Sequence, residues 1–193
     1  LESAYAQALA GRAPHLEAVS TPFSVWSRDV NQRLQGSAIH DQLPFWVDML
    51  EGVPWRANPS FSPSSARVER TLELSVAATL RLKSVAPGGA DIEAVLLTAL
   101  AHAVSDDTVV IDLERHGRDI DAGSDTSRSV GWFTAQFPVR LHLPNRPKEA
   151  LEATRAQLAV VPAGGVGYGL LRYGDSGAAR DVLAALPRPF VSF

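Results

Sequence analysis

The sequence predicts an α/β (α+β) two-layer fold in which a mixed sheet carries helices on one face. A central stretch, Thr108 to Leu143, holds two strand-like runs joined by a polar loop. The segments around it repeat apolar residues at helical spacing instead of alternating them. The two patterns mix irregularly, with no internal repeat or low-complexity tract, as expected where helices are laid against a sheet.

The balance of 46% hydrophobic and 20% charged residues in a chain of 193 is that of a globular protein able to bury a sizeable core. Lys and Arg number 18 against 21 Asp and Glu, and no basic cluster interrupts the chain, so nucleic acid is not an expected partner. Cysteine is absent, which excludes a disulfide framework or thiolate metal site and suits a reducing cytoplasm. The longest apolar stretch, Ala94 to Val104, is interrupted by Thr98 and His102 and falls well short of the roughly 20 residues that span a bilayer. A soluble, cytoplasmic chain without a membrane partner is expected.

In chain order, Leu1, Tyr5, Ala8 and Leu9 fall at helical spacing with no capping residue, initiator Met or signal-peptide n-region before them. The helix is expected to begin upstream and to end at Gly11, with Pro14 confirming the stop. Phe23, Trp26 and Val30 predict an amphipathic helix over Thr21 to Gln35, with Thr21 as N-cap and Pro22 in the first turn. Leu43, Trp46, Val47 and Leu50 predict another, up to Gly52. Trp26 and Trp46 lie on these apolar stripes and are read as core anchors. Val53 to Ser65, with three prolines and four serines, is a loop.

Val68, Leu72 and Leu74 alternate with polar residues as in a half-buried strand, although Arg70 breaks the pattern. A short helix over Val76 to Ser84 follows, ended by Pro87-Gly88-Gly89. Asp91 can cap a strong helix with Ile92, Val95, Leu96, Ala99, Leu100 and Ala103 on its sheet-facing stripe. His102 lies beside that stripe and is read as structural. Pro147 opens a helix burying Ala150, Leu151, Thr154, Leu158 and Val161, with Glu149, Glu152 and Arg155 solvated. A last helix, Ala178 to Leu186, ends at Pro187. Phe190 to Phe193 reads as a strand that stops before any turn, and an unpaired apolar terminus is an aggregation liability. The chain is therefore expected to be a piece of a longer one, cut at both ends.

The central stretch carries the densest set of titratable residues. Alternation puts Asp112, Glu114 and His116 on one face of the first strand, with Ile111, Leu113 and the Arg115 stem on the other and same-face neighbours roughly 6.5–7 Å apart. Gly117 breaks the run, Arg118 to Ser129 is a polar loop, and Val130 to Leu143 is the second strand. Further on, Pro162-Ala163-Gly164-Gly165-Val166-Gly167-Tyr168-Gly169 permits positive φ and close backbone approach, so it is either a substrate-hugging loop or a tight turn between helices. It lacks G-x-G-x-x-G and a Lys-Ser/Thr pair, so it is not a nucleotide P-loop.

These motifs carry a resemblance. Leu113-Glu114-Arg115-His116-Gly117-Arg118-Asp119 resembles the EGHGRE motif of nonribosomal peptide synthetase epimerization domains. Ser127 to Thr134, then Phe137-Pro138-Val139-Arg140-Leu141, is similar to their RTVGWFT…YPVRL motif. Pro162 to Gly169 resembles PxxGxGYG, Val95 to Leu100 the family's helix motif, and Val191-Ser192-Phe193 the start of SFNYLG. The resemblance implies part of an epimerization or condensation domain over 1–193, mainly the C-terminal lobe of a chloramphenicol-acetyltransferase-like pair. The active site would lie in a tunnel between this lobe and a missing N-terminal lobe, and the family's HHxxxDG histidine would precede Leu1. This piece alone would then be inactive.

Carried over by motif, Glu114 is the catalytic acid/base at the substrate Cα. His116, Gly117, Arg118, Arg128 and Trp132 shape and orient, and Gly165, Gly167, Tyr168 and Gly169 form the tunnel loop. Inverting a Cα beside a thioester requires a proton removed from one face and one returned to the other, hence two acid/base groups. The residues alone leave open a structural ion pair of Glu114 with Arg118 or Arg128. Asp112, Glu114 and His116 could be imagined as metal ligands, but the family uses no metal. Arg115 replaces the motif glycine, Asp119 the second glutamate, and Ala94 the usual aspartate of the helix motif. An inward Arg115 would lower the Glu114 pKa, while alternation points it to the opposite face. The implied partner is a peptidyl carrier protein bearing a phosphopantetheine arm, with no cofactor held by this chain. HGR and VGWFT favour epimerization over condensation, and a non-catalytic docking module is the third reading.

Overall fold

A computed structural model of the chain describes residues 2–16, 18, 21–52, 69–85, 89–120, 124–174, 177–189 and 191–193. Helices α1 (Glu2–Leu9), α2 (Phe23–Leu34), α3 (Ser37–His40), α4 (Leu43–Leu50), α5 (Val76–Val85) and α6 (Gly89–Val104) precede strand β1 (Thr108–His116). Strand β2 (Thr134–His142), helices α7 (Pro147–Ala159), α8 (Val166–Gly169) and α9 (Ala178–Ala185), and strand β3 (Val191–Ser192) follow. The sheet has the order β2-β1-β3. β1 runs antiparallel to β2, from Thr108 opposite His142 to His116 opposite Thr134, and parallel to β3. The fold is α+β with a mixed sheet.

The register decides what faces the helices. Ile111, Leu113, Phe137, Val139 and Leu141 share one face of the β1–β2 pair and are buried. Trp46 of α4 covers that face, its ring 6.1 Å from the Phe137 ring and 5.4 Å from Tyr168. The opposite face is buried at Val110 and Pro138 and opens towards Glu114, His116, Thr134 and Gln136. At its C-terminal end, the outer edge of β2 is occupied by side chains. Gln157 of α7 accepts the His142 N–H at 2.7 Å and donates back to the His142 carbonyl at 3.3 Å, and the Arg140 N–H meets the Met49 sulfur at 3.3 Å.

The first helix ends as expected, through a left-handed Gly11 (φ +67). The Arg12 N–H returns to Gln7 and the Gly11 N–H to Ala8, the paired bonds of a Schellman ending. Trp26 and Trp46 are buried. Several expectations need correction. Thr21 does not cap α2; Pro22 is the N-cap residue and no side chain caps the turn, because the chain around Thr21 is held by a later loop. The separate turn α3 has only four residues, too few to show a period in the sequence.

Residues 69–75 form no strand. Leu72 is 89% exposed and Leu74 exposed as well, because no described strand lies beside them to pair their backbone; Val68 lies outside the described residues. The loop Val53–Ser65, Pro87-Gly88 and Phe190 also lie outside them.

Helix α6 starts at Gly89, so Asp91 is within its first turn and not at its cap. Its buried face is Ala94, Leu97, Thr98 and Ala101 instead of the larger predicted stripe, of which Leu96, Ala99 and Ala103 are exposed. Small residues let α7 approach closely, and the Thr98 and Thr154 hydroxyls meet at 2.9 Å across the contact. The second strand starts at Thr134, not Val130: the Gly117 N–H to the Phe133 carbonyl is the last bond in register with the ladder, and before it the chain turns away, the Ser129 N–H donating to Thr126 and its hydroxyl to the Thr21 carbonyl ahead of α2. The terminal strand is paired after all: the Phe193 N–H donates to Asp112 at 2.9 Å and its carbonyl accepts the Glu114 N–H at 3.0 Å.

Candidate functional site

β1 presents Asp112, Glu114 and His116 to the same side, as the alternation requires, with Glu114 and His116 exposed. Arg115 points the other way. Its Nε and Nη2 donate to the two carboxylate oxygens of Glu93 in α6 at 2.8 and 2.6 Å, a bidentate pair whose side chains are 27% and 21% exposed. The cation next to Glu114 in sequence is therefore neutralised on the far face of the strand.

The charged loop has its own internal order. Arg118 does not pair with Glu114. Its Nη1 donates to the Thr126 carbonyl, its Nη2 to the Ser129 carbonyl at 2.9 Å, and its guanidinium carbon lies 3.8 Å from the Phe133 ring centroid. Gly117 is buried, and a Cβ there would stand 2.7 Å from the Phe133 carbonyl, to which the Gly117 N–H donates at 2.5 Å. Only glycine fits so close an approach. Arg128 is exposed and engaged in contacts of its own. Trp132 is 79% exposed.

The glycine-rich segment lies elsewhere in the packing. A tight turn, Pro162–Gly165, leads from α7 to α8, with left-handed backbone at Ala163, Gly164 and Gly165. Gly165 (φ +87) lies against Phe137, whose ring a Cβ would enter, and Gly167 lies against Gln42. Gly165, Gly167 and Tyr168 are buried and Gly169 is half-buried. Burial pushes the Tyr168 phenol up to about 12, opposed by Arg172 and reinforced by Asp112, so the group is a hydrogen-bond donor at any ordinary pH.

One acidic residue stands apart from the candidates named by motif. Asp112 is half-buried, accepts a bond from Gln136 Nε2 at 3.2 Å, and has its pKa raised by burial against the lowering fields of Arg188 and Arg172. Alternation marked its face, but nothing local signals that residues 172 and 188 approach it. Among the described residues, no three His, Asp or Glu side chains converge to hold a metal ion. The structure thus brings Glu114 and His116 together on an open face and Gly117, Arg118 and Trp132 around one loop. It buries Gly165 against Phe137, Gly167 against Gln42 and Tyr168 against Trp46.

The fold and these motifs define a condensation-type domain. The Condensation domain family matches residues 1–186, and the chain belongs to that family, the condensation-type domains of nonribosomal peptide synthetases. It is 35% identical over 187 residues to a linear gramicidin synthase of Brevibacillus parabrevis, covering 90% of this chain and 2% of that protein. It is 37% identical over 204 residues to a chondramide synthase of Chondromyces crocatus, covering 95% and 5%. The chain thus spans a small part of the length of these relatives. Among solved structures, the epimerization domain from the third module of tyrocidine synthetase B superimposes with a TM-score of 0.81 at 27% identity, over 100% of this chain and 46% of that one. The first condensation domain of the CDA synthetase gives 0.60 at 16% identity, over 92% and 40%, a likeness of fold alone. No helix among the described residues is long and apolar enough to cross a membrane.

Proposed function

We propose that the chain is part of an epimerization domain that converts a carrier-bound L-aminoacyl or peptidyl thioester to its D form. The observation that carries this reading is the placement of Glu114, displayed on the open face of β1 while Arg115 is drawn to Glu93 behind the strand. The TM-score of 0.81 to an epimerization domain supports it. In the proposed reaction the Glu114 carboxylate exchanges a proton with the substrate Cα, whose acidity the adjoining thioester raises through the enolate left behind. A second acid/base group on the opposite side of the carbon serves the other face; by resemblance this is the HHxxxDG histidine, outside the present chain. A peptidyl carrier protein delivers the substrate on its phosphopantetheine arm, and this chain holds no cofactor of its own.

Peptide-bond formation between two carrier-bound substrates is the alternative, favoured by the family match to the condensation domain. Departure from the motif at Arg115 and Asp119 is what supports a docking module without catalysis. Glu114→Gln in the parent synthetase separates the readings. It keeps the shape and hydrogen bonding of the side chain and removes the proton-transfer group, so the rates of Cα deuterium exchange and of inversion should fall by roughly 10²–10⁴. Exchange at near-wild-type rate in this variant makes Glu114 structural. Peptide-bond formation by the wild type with no Cα exchange selects condensation.

A further inference from the structure

Among the described residues, the arginine that follows β1 is spent on backbone rather than on an acid. One guanidinium reaches three points of the segment 126–133: the Thr126 and Ser129 carbonyls and the face of the Phe133 ring. A planar fork of donors with a delocalised charge matches this set, and a compact ammonium does not. Other contacts tie the same segment down. The Gly117 N–H donates to Phe133 at 2.5 Å and the Ser129 N–H to Thr126 at 3.0 Å, while the Ser129 hydroxyl donates to the Thr21 carbonyl ahead of α2. The Phe133 ring lies edge-on to Phe23 at 5.1 Å and to Trp26 at 4.7 Å. Thr126 and Ser129 are buried although polar, with Val130 95% and Trp132 79% exposed between the anchors.

We infer that Arg118 is a positioning residue. Its guanidinium fixes segment 126–133 to the end of β1, so that the Glu114 face and the projecting Trp132 keep one relative geometry, and it serves neither as the counter-ion of Glu114 nor as a group in contact with the reacting atoms. The link to turnover rests on the epimerization reading; the clamp itself does not. The two roles differ in what lysine can replace. A counter-ion acts by charge, so lysine restores its effect and glutamine removes it. A clamp acts by geometry, so neither substitute can span both carbonyls and the ring.

The test compares Arg118→Lys and Arg118→Gln with wild type in the parent synthetase. Hydrogen–deuterium exchange of the amides in 124–133 is read beside the pH profile of Cα exchange. Both variants should lose about tenfold or more of the protection of this segment, lower kcat with little change in KM, and leave the acid midpoint of the pH profile in place. Wild-type protection in the lysine variant overturns the inference, and so does an acid midpoint that rises with glutamine and is restored by lysine. If both variants fail to fold, Phe133→Leu removes the ring under the guanidinium while keeping an apolar side chain, and unchanged protection there overturns it as well. A wild type with no Cα exchange ends the epimerization reading, while the protection of 124–133 still decides the clamp.

Discussion

Asp112 and Glu114 are two residues apart on one strand face, yet their surroundings differ. Glu114 stands in the open, whereas burial raises the Asp112 pKa above 3.8 despite the fields of Arg188 and Arg172. A carboxyl group with a raised folded-state pKa binds a proton in the native state at a pH where the unfolded chain has lost it. Its ionisation therefore costs stability above the folded pKa, and that cost disappears as the pH falls through the folded pKa towards 3.8. Asp112→Asn, which still accepts from Gln136, should stabilise the chain at neutral pH and lose that advantage on acidification. Urea midpoints at a series of pH values check it, and a variant less stable than wild type at neutral pH refutes the sign. The face shared by these acids was legible because alternation follows from strand geometry alone. The Arg118 clamp was not legible, since its acceptors are carbonyls that any sequence supplies, and the Arg115–Glu93 pair joins positions that only the packing of α6 on β1 brings together.

At the level of elements, the turn between α7 and α8 shows how one position depends on a distant strand. Gly165 combines a left-handed backbone with a Phe137 ring where a Cβ would go, whereas Gly164 (φ +61) has open space around it. Gly164→Ala should cost roughly 1–2 kcal/mol of backbone strain. Gly165→Ala adds overpacking of about 1–3 kcal/mol to the same kind of strain. Denaturant midpoints of the two variants isolate the ring contact by difference, and equal losses would remove it. The glycine cluster was visible in the sequence as a tight turn or a substrate-hugging loop, but the partner that makes Gly165 necessary belongs to β2. Element type was legible for α2, α4, α7 and β1, where the apolar period is regular. The buried face of α6 was not, because Ala94, Thr98 and Ala101 carry little hydrophobic bulk, and it is Thr98 that meets Thr154 of α7. Alternation at 69–74 imitates a strand, but a strand needs a partner for its backbone.

Over the whole molecule, the apolar side chains left outside gather on particular stretches. Leu72, Leu74, Val76 and Leu80 are all exposed on α5 and the segment before it. The chain in isolation should bind an apolar-surface dye, and Leu72→Glu with Leu80→Glu should lower that binding without lowering the unfolding midpoint, since surface substitutions stay within about 0.5 kcal/mol. A dye-negative wild type contradicts this. The two flanks of the sheet also differ. On β2, Gln157 answers both the N–H and the carbonyl of His142, so a side chain stands where the backbone of a fourth strand would lie. β3 borders the other flank through a ladder of only two residues. An open filament built edge to edge needs two live ends on every molecule. Gln157 removes the His142 end of β2 from such pairing, so its amide hinders edge-to-edge growth there as well as bracing α7 against the sheet.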